Sequence, residues 1–248
     1  MKEADNHSQS NTRLRWLLWL AVVSIFVGVW LYPVSSGFTR ASGVWLFLVI
    51  WFGLVALVWR GRIARFAMLG ITTMAAIFLL LPGRTQRDEA ALRRGYVAGL
   101  LRYEGDRYFW GGESPRGIDC SGLIRRGLID SLFLRGLRTL DAGLVRHALW
   151  LWWHDCTARE LGEGGVGRGM TTPLLETPSI NALDPARISP GDIAITANGL
   201  HIMAYLGGNR WIEADPMEQR VLTVTVPSQD NPWFRQPMKV VRWDILRQ

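Results

Sequence analysis

Three uncharged apolar runs in the first third of the chain set the frame for everything that follows. Residues 16–34 (WLLWLAVVSIFVGVWLYPV), 41–59 (ASGVWLFLVIWFGLVALVW) and 66–82 (FAMLGITTMAAIFLLLP) contain no charged side chain. A helix needs roughly 20 apolar residues to cross about 30 Å of hydrocarbon. The first two runs meet that length. The third is short, but Ile63 and Ala64 extend it and Arg65 reaches back to the interface. Trp16, Trp19, Trp30, Tyr32, Trp45 and Trp59 stand near the run ends, where amphipathic rings settle at a lipid–water boundary. Short basic or polar links separate the runs, which argues against three buried core helices. A cleaved leader fits poorly as well, because the first run exceeds the usual apolar stretch and no small-x-small cleavage site follows it. The expectation is a retained three-helix anchor over 16–82, preceded by a cytoplasmic N-terminus over 1–15.

Orientation follows from the arginines and lysines in the short connections. Lys2, Arg13 and Arg15 precede the first run, Arg40 alone lies between the first and second, and Arg60, Arg62 and Arg65 lie between the second and third. The basic ends alternate inside, outside, inside, so the chain after Pro82 is expected outside the cytoplasm, with the protein in the inner (plasma) membrane. Arg84 and Arg87 run against this pattern, and Asp88 and Glu89 offset them. The net charge of +7 is nearly all arginine, since Lys2 and Lys239 are the only lysines. Spread along the chain, it forms no nucleic-acid stripe, and it suits an anionic lipid surface or wall polymer.

Residues 83–248 are enough for one domain with its own core. The stretch from Thr85 opens with a Thr-x-x-Asp pattern resembling a capping box, followed by Leu92, Tyr96 and Leu100 at helical spacing. After the glycine-rich loop YFWGGESPRG, Leu123, Ile124, Leu128, Ile129 and Leu132 mark a second helix. Toward the end, GDIAIT, HIMAYL, RWIEA, RVLTVTV and KVVRWDIL read as short strands divided by turn signals. Helices followed by a strand meander make an α+β domain.

Cys120 opens the second helix directly after a turn, where the helix dipole and free N–H groups favour a thiolate. Such a cysteine attacks a carbonyl while neighbouring N–H groups hold the oxyanion. Only four histidines can serve as its base. His7 is cytoplasmic by topology, and His147 and His154 lie in an aromatic helix-like stretch. His201 starts a strand just after the turn ANGL. Glu213 on the next strand is the candidate to orient its ring. A hairpin register in which paired positions sum to 414 sets His201 opposite Glu213 on one face, whereas a sum of 417 turns Glu213 away.

These blocks, YFWGGESPRGIDCSGL, PGDIAI and HIMAYLGGNRWIEA, resemble the NlpC-type cell-wall endopeptidases, a family of papain-like cysteine peptidases. The resemblance covers roughly residues 85–248. It implies Cys120 as nucleophile, His201 as general base, Glu213 as orienter and Tyr108 at the border of the oxyanion region. It also implies peptidoglycan stem peptides as the partner, cleavage of their amide bonds, and no cofactor. The sequence departs from the family in two places. Position 213 is Glu where the family usually has His, Asn or Gln, and the gap between Cys120 and Gly191 is about 25 residues longer than usual.

Other readings stand beside these. Cys120 and Cys156 are the only cysteines and would pair in an oxidising compartment. An amidase or acyltransferase of the same fold, or a non-catalytic wall-binding scaffold, would carry the same blocks. Asp119 and Asp215 read as a helix N-terminal acid and a turn residue. The run HALWLWWHDC fits no standard zinc spacing, and its Trp150, Trp152 and Trp153 read as core or membrane-facing. GEGGVGRGMTTP lacks the lysine of a phosphate loop and reads as a flexible lid or plain insertion.

Overall fold

The computed structural model describes residues 2–165 and 167–247, with side chains from residue 13 onward, so the expectations for Lys2 and His7 lie outside the described side chains. The chain divides into two compact units, Met1–Leu81 and Pro82–Gln248.

The first unit is three helices, α1 (Lys2–Leu31), α2 (Gly37–Val58) and α3 (Arg62–Leu80). Each is long and apolar enough to cross a membrane, α1 over Arg13–Leu31. Ser36 and Thr39 form a reciprocal cap at the start of α2, and Arg40 turns its Nε onto Ser35 at 3.1 Å. The indole of Trp19 donates to Ile50 O at 2.9 Å, joining α1 to α2. Outward faces remain apolar, with Trp45, Phe52, Phe66 and Met74 all exposed. Apolar residues all round a helix suit hydrocarbon rather than water.

The second unit is α+β, with helices packed on an antiparallel sheet. It begins with α4 (Glu89–Leu101), a small hairpin of β1 (Glu113–Ser114) and β2 (Gly117–Ile118), α5 (Cys120–Thr139), α6 (Ala142–Trp153) and the short α7 (Ala158–Gly162). Then come β3 (Thr171–Thr177), β4 (Ile193–Thr196), β5 (Ile202–Gly207), β6 (Arg210–Asp215), β7 (Arg220–Thr225) and β8 (Met238–Trp243). The sheet order is β3-β8-β4-β5-β6-β7. The alternation of strand residues supplies two cores. Ile193, Ile202, Ala204 and Ile212 join Tyr96, Leu100, Leu123 and Leu128 of the helices, while Met203, Tyr205, Trp211 and Val240 on the other face meet Ile180 and Phe234.

Two local expectations change. The cap of α4 is Asp88, whose Oδ1 accepts Ala91 N at 2.9 Å, rather than Thr85, so the helix starts three residues later than a Thr85 cap would set it. The segment read as a lid or insertion ends in a strand. Thr171 and Thr172 belong to β3, which pairs with Trp243 and Arg242 of β8 at the sheet edge. The long gap before Gly191 is thus filled by α6, α7, β3 and two 3₁₀ turns at Ile180–Ala182 and Pro185–Arg187.

Arg84 and Arg87, which ran against the charge pattern, are used inside the fold. Arg84 Nη2 donates to Thr139 O at 2.7 Å and Arg87 pairs with Asp141 at 3.2 Å.

Candidate active site

Asp119 starts α5 by capping it. Its Oδ1 accepts Gly122 N at 2.6 Å and the Ser121 hydroxyl at 3.0 Å, and Oδ2 accepts Gly111 N at 2.8 Å. One carboxylate therefore ties the glycine-rich loop to the first turn of the helix. The approach is close enough to require glycine. A Cβ on Gly112 would lie 2.3 Å from Gly117 O, and one on Gly122 would lie 2.2 Å from Gly112 O. Burial lifts the Asp119 carboxyl above its ordinary range, with the three hydrogen bonds pulling the other way.

Cys120 follows as the first residue of α5, buried and free, as is Cys156, so no disulfide joins them. The helix start offers N–H groups to its sulfur, as the sequence suggests, but burial and then the charge of Asp119 outweigh them. They push the thiol up to about 12 against the pull of the Ser121, Cys120 and Ile202 N–H groups. Burial and Asp119 thus oppose the thiolate that the helix start alone favours. Cys156 is likewise pushed up to about 11 by burial.

His201 precedes β5 and is fixed by a tight turn. Its N–H donates to Thr196 Oγ1 at 3.0 Å, and its carbonyl accepts Thr196 N at 3.0 Å. The ring Nε2 lies 2.6 Å from Glu213 Oε2, with both residues buried. The register that allows this is not the expected one. Ala204 pairs with Ile212 and Tyr205 with Trp211, a sum of 416, and the ladder shifts to Gly207–Arg210 at the turn. Carried onward, that register sets Glu213 across from Met203, two residues from His201. Because the side-chain period is two, the carboxylate keeps His201's face and reaches it diagonally.

Two further residues complete the surroundings, and neither is apparent from the sequence. Asn231 donates from Nδ2 to Glu213 Oε1, while its own Oδ1 accepts Trp233 N at 2.9 Å. The Asx turn fixes which way the amide faces. It also swings Trp233 over the imidazole, where the rings stack with centroids 4.3 Å apart and planes 20° from parallel. The short polar triplet that opens this 3₁₀ turn (Pro232–Arg235) is the local signal, but its partners are 18 and 32 positions away.

The thiol of Cys120 lies against backbone of β5 rather than against the imidazole. Among the described residues no hydrogen bond joins the thiol to the imidazole. The Ile202 N–H, next in chain after His201, is one of the groups that bear on the sulfur. With Nε2 committed to Glu213, Nδ1 is the ring nitrogen left for proton exchange.

Tyr108 is buried beside Cys120, Asp119 and Asp215; burial first and then their charges raise its phenol well above the usual range and keep it protonated. Its N–H donates to Gln219 O at 2.9 Å. Asp215 is a turn residue, accepting Met217 N at 2.6 Å.

Buried Arg125 braces this corner. Its Nε lies 3.0 Å from Glu113 of the β1–β2 hairpin, and its other nitrogens donate to His154 O at 2.5 Å and Leu151 O at 2.8 Å. His154 and His147 stand apart from the candidate site, each ring against Trp150. Trp150 and Trp152 pack on the core, and Trp153 is half exposed. Among the described residues, no group of three His, Cys, Asp or Glu is placed to hold a metal ion.

No family model matches the sequence, and a search of curated proteins finds no match. The chain is similar in structure to several NlpC/P60 domains. One is the NlpC/p60 domain of the peptidoglycan hydrolase SagA, at 23% identity and TM-score 0.35, covering 60% of this chain and 97% of that one. Another is the peptidoglycan hydrolase RipB from Mycobacterium tuberculosis, at 19% identity and TM-score 0.40, covering 75% and 87%. A third is NlpC2 from Trichomonas vaginalis, at 19% identity and TM-score 0.40, covering 64% of this chain and 48% of that one, so the chain spans about half the Trichomonas protein.

Proposed function

We propose that the protein is a membrane-anchored cysteine hydrolase that cleaves amide bonds in peptidoglycan stem peptides. The observation that carries the catalytic part is the buried His201–Glu213 contact at 2.6 Å, set at a strand end whose next N–H faces the thiol of Cys120. The cell-wall substrate rests on the motif blocks around Cys120, Gly191 and His201. The anchor rests on α1–α3, and the outward placement of residues 83–248 rests on the alternating basic ends.

In this reading Glu213 accepts the Nε2 proton of His201 and so keeps the lone pair on Nδ1. As substrate enters, Nδ1 takes the thiol proton, and the sulfur adds to the carbonyl carbon. Contacts of this kind are often loose in an empty site and tighten with substrate bound. The backbone N–H of Cys120 and the phenol of Tyr108 would hold the oxyanion. His201 then returns the proton to the leaving amine, and an acyl-thioester remains on Cys120. Water, deprotonated by the same nitrogen, releases the acid and restores the thiol. Asn231 keeps Glu213 in place, and Trp233 holds the ring plane.

The test is digestion of defined muropeptides by the purified full-length chain, read by mass spectrometry. The wild-type protein is expected to cut a stem-peptide amide bond. Cys120→Ala is expected to cut none, and Cys156→Ala to keep most of the activity. Loss of activity in Cys156→Ala with retention in Cys120→Ala would overturn the assignment. Turnover of acylated or lipid-linked substrates with no muropeptide cleavage would replace the substrate class.

A further inference from the structure

The corner between α5 and α6 carries a feature that the catalytic reading leaves unused. Only Leu81, Pro82 and Gly83 separate the end of α3 from Arg84. From there the chain is latched onto the corner. Arg84 donates from its backbone N–H to Asp141 Oδ1 at 3.3 Å and from Nη2 to Thr139 O at 2.7 Å. Arg87 Nε reaches Asp141 Oδ2 at 3.2 Å, and Asp141 also caps α6 through Gly143 N at 2.9 Å. Burial opposes ionisation of Asp141, but Arg87 and these hydrogen bonds hold its carboxyl below the usual range, so the latch stays charged. A Cβ on Gly83 would come within 2.9 Å of Gly143 Cα, so the entry segment packs backbone against backbone.

The surface of this same corner is poorly suited to water. Leu140 is 73% exposed and occupies a left-handed conformation (φ 52°) at the end of α5. Glycine or asparagine usually fills that position, so a leucine there adds backbone strain to an exposed apolar side chain. Leu137 is 45% exposed, and an apolar row continues back along α5 to Phe133. On α6, Leu149 is 42% exposed. Arg138 and Arg146 stand exposed among them.

We propose that the α5–α6 corner rests on the outer surface of the bilayer. Leu137 and Leu140 enter the boundary between headgroups and acyl chains, and Arg138 and Arg146 meet anionic headgroups. This rests on the anchor reading above. Two things favour lipid over a second copy of the chain. The latch holds the corner to Arg84, which only Leu81, Pro82 and Gly83 separate from the end of the third span. The exposed charges among the apolar side chains of the corner, Arg138 and Arg146, are both positive. Docked there, the hairpin would hold the domain in one orientation, with Cys120 at the opposite end of α5 from the lipid contact.

The experiment uses the full chain in nanodiscs containing phosphatidylglycerol, with Cys120→Ser and Cys156→Ser as background. A single environment-sensitive label is attached at Leu140→Cys or, as control, at Met217→Cys in the β6–β7 turn. Nitroxide-bearing lipid is expected to quench the label at 140 roughly threefold or more over the label at 217, as for a group about 5–10 Å into the interface. Adding Leu137→Asp is expected to shrink that difference. Equal quenching at both sites in protein that resists an alkaline wash would overturn the docking and leave the anchor standing. Release by the alkaline wash would overturn both. Self-quenching between labelled copies without lipid quenching would give the face to a second copy and overturn the lipid assignment.

Discussion

Glu213 reaches His201 from a diagonal position two residues out of register and still closes to 2.6 Å in a fully buried setting. Both carboxylate oxygens are used, one by the imidazole and the other by Asn231. Both partners are donors, so only a group with two acceptors satisfies them together.

That requirement predicts the order of variants at this position. In Glu213→Gln the amide brings one acceptor and one donor to two donors, so one contact is lost. In Glu213→Ala both are lost and the ring loses its orientation. Measured as kcat/KM on a muropeptide, Gln is expected to retain part of the activity and Ala to fall by roughly 10²–10³-fold, the scale of general acid–base assistance. Wild-type rates in Glu213→Ala would reduce the site to Cys120 and His201.

At Asn231 the amide is a positioning group, and its acidic counterpart should behave differently from a simple truncation. Asn231→Asp sets a second carboxylate against Glu213 in a buried site, and two such groups resist ionising together. Activity is expected to drop at neutral pH and to recover partly as the pH is lowered and one carboxyl takes up a proton. Asn231→Ala should lower kcat at every pH with little change in KM. A profile for Asn231→Asp that parallels wild type would show that the side chain only caps the turn at Pro232.

The buried thiol gives a prediction for the protein without substrate. Burial and Asp119 raise the Cys120 thiol to about 12, so the reactive thiolate should accumulate only in strongly alkaline solution. Alkylation of Cys120, followed by peptide mass spectrometry with the protein held folded, should keep rising with pH beyond the range in which an unfolded control levels off. A plateau at neutral pH would mean a preformed thiolate–imidazolium pair.

Topology has its own measurement. A reporter joined after residue 248 should be active only outside the cytoplasm, because the basic ends alternate across α1–α3. A cytoplasmic signal would mean that one run does not span, with the 19-residue α3 the first suspect.

Much of this was legible because it depends on short-range pattern. Apolar runs free of charge announce α1–α3 by length alone. Leu92, Tyr96 and Leu100 mark α4, and five of the six strands of the main sheet follow from β-rich runs between turns. Cys120 and His201 could be singled out as candidates because the chain has only two cysteines and four histidines, and Glu213 because the strand pattern sets it on the strand after His201. What escaped depends on distance. β3 begins in a glycine-rich stretch and becomes a strand by pairing with β8 some seventy residues later. The register of β5 and β6 turns on a bulge at Gly207, which alternation alone does not reveal. Burial of Cys120 is a tertiary property, and it opposes the thiolate that the helix start favours.

Asn231 and Trp233 share one loop between β7 and β8, and this sharing has a pharmacological consequence. A small molecule that pried this loop from the sheet would withdraw the carboxylate's donor and the ring's stacking surface in one movement. Such a compound need not approach the sulfur or compete with a stem peptide. Its signature would be a fall in kcat at constant KM, with alkylation of Cys120 left unprotected.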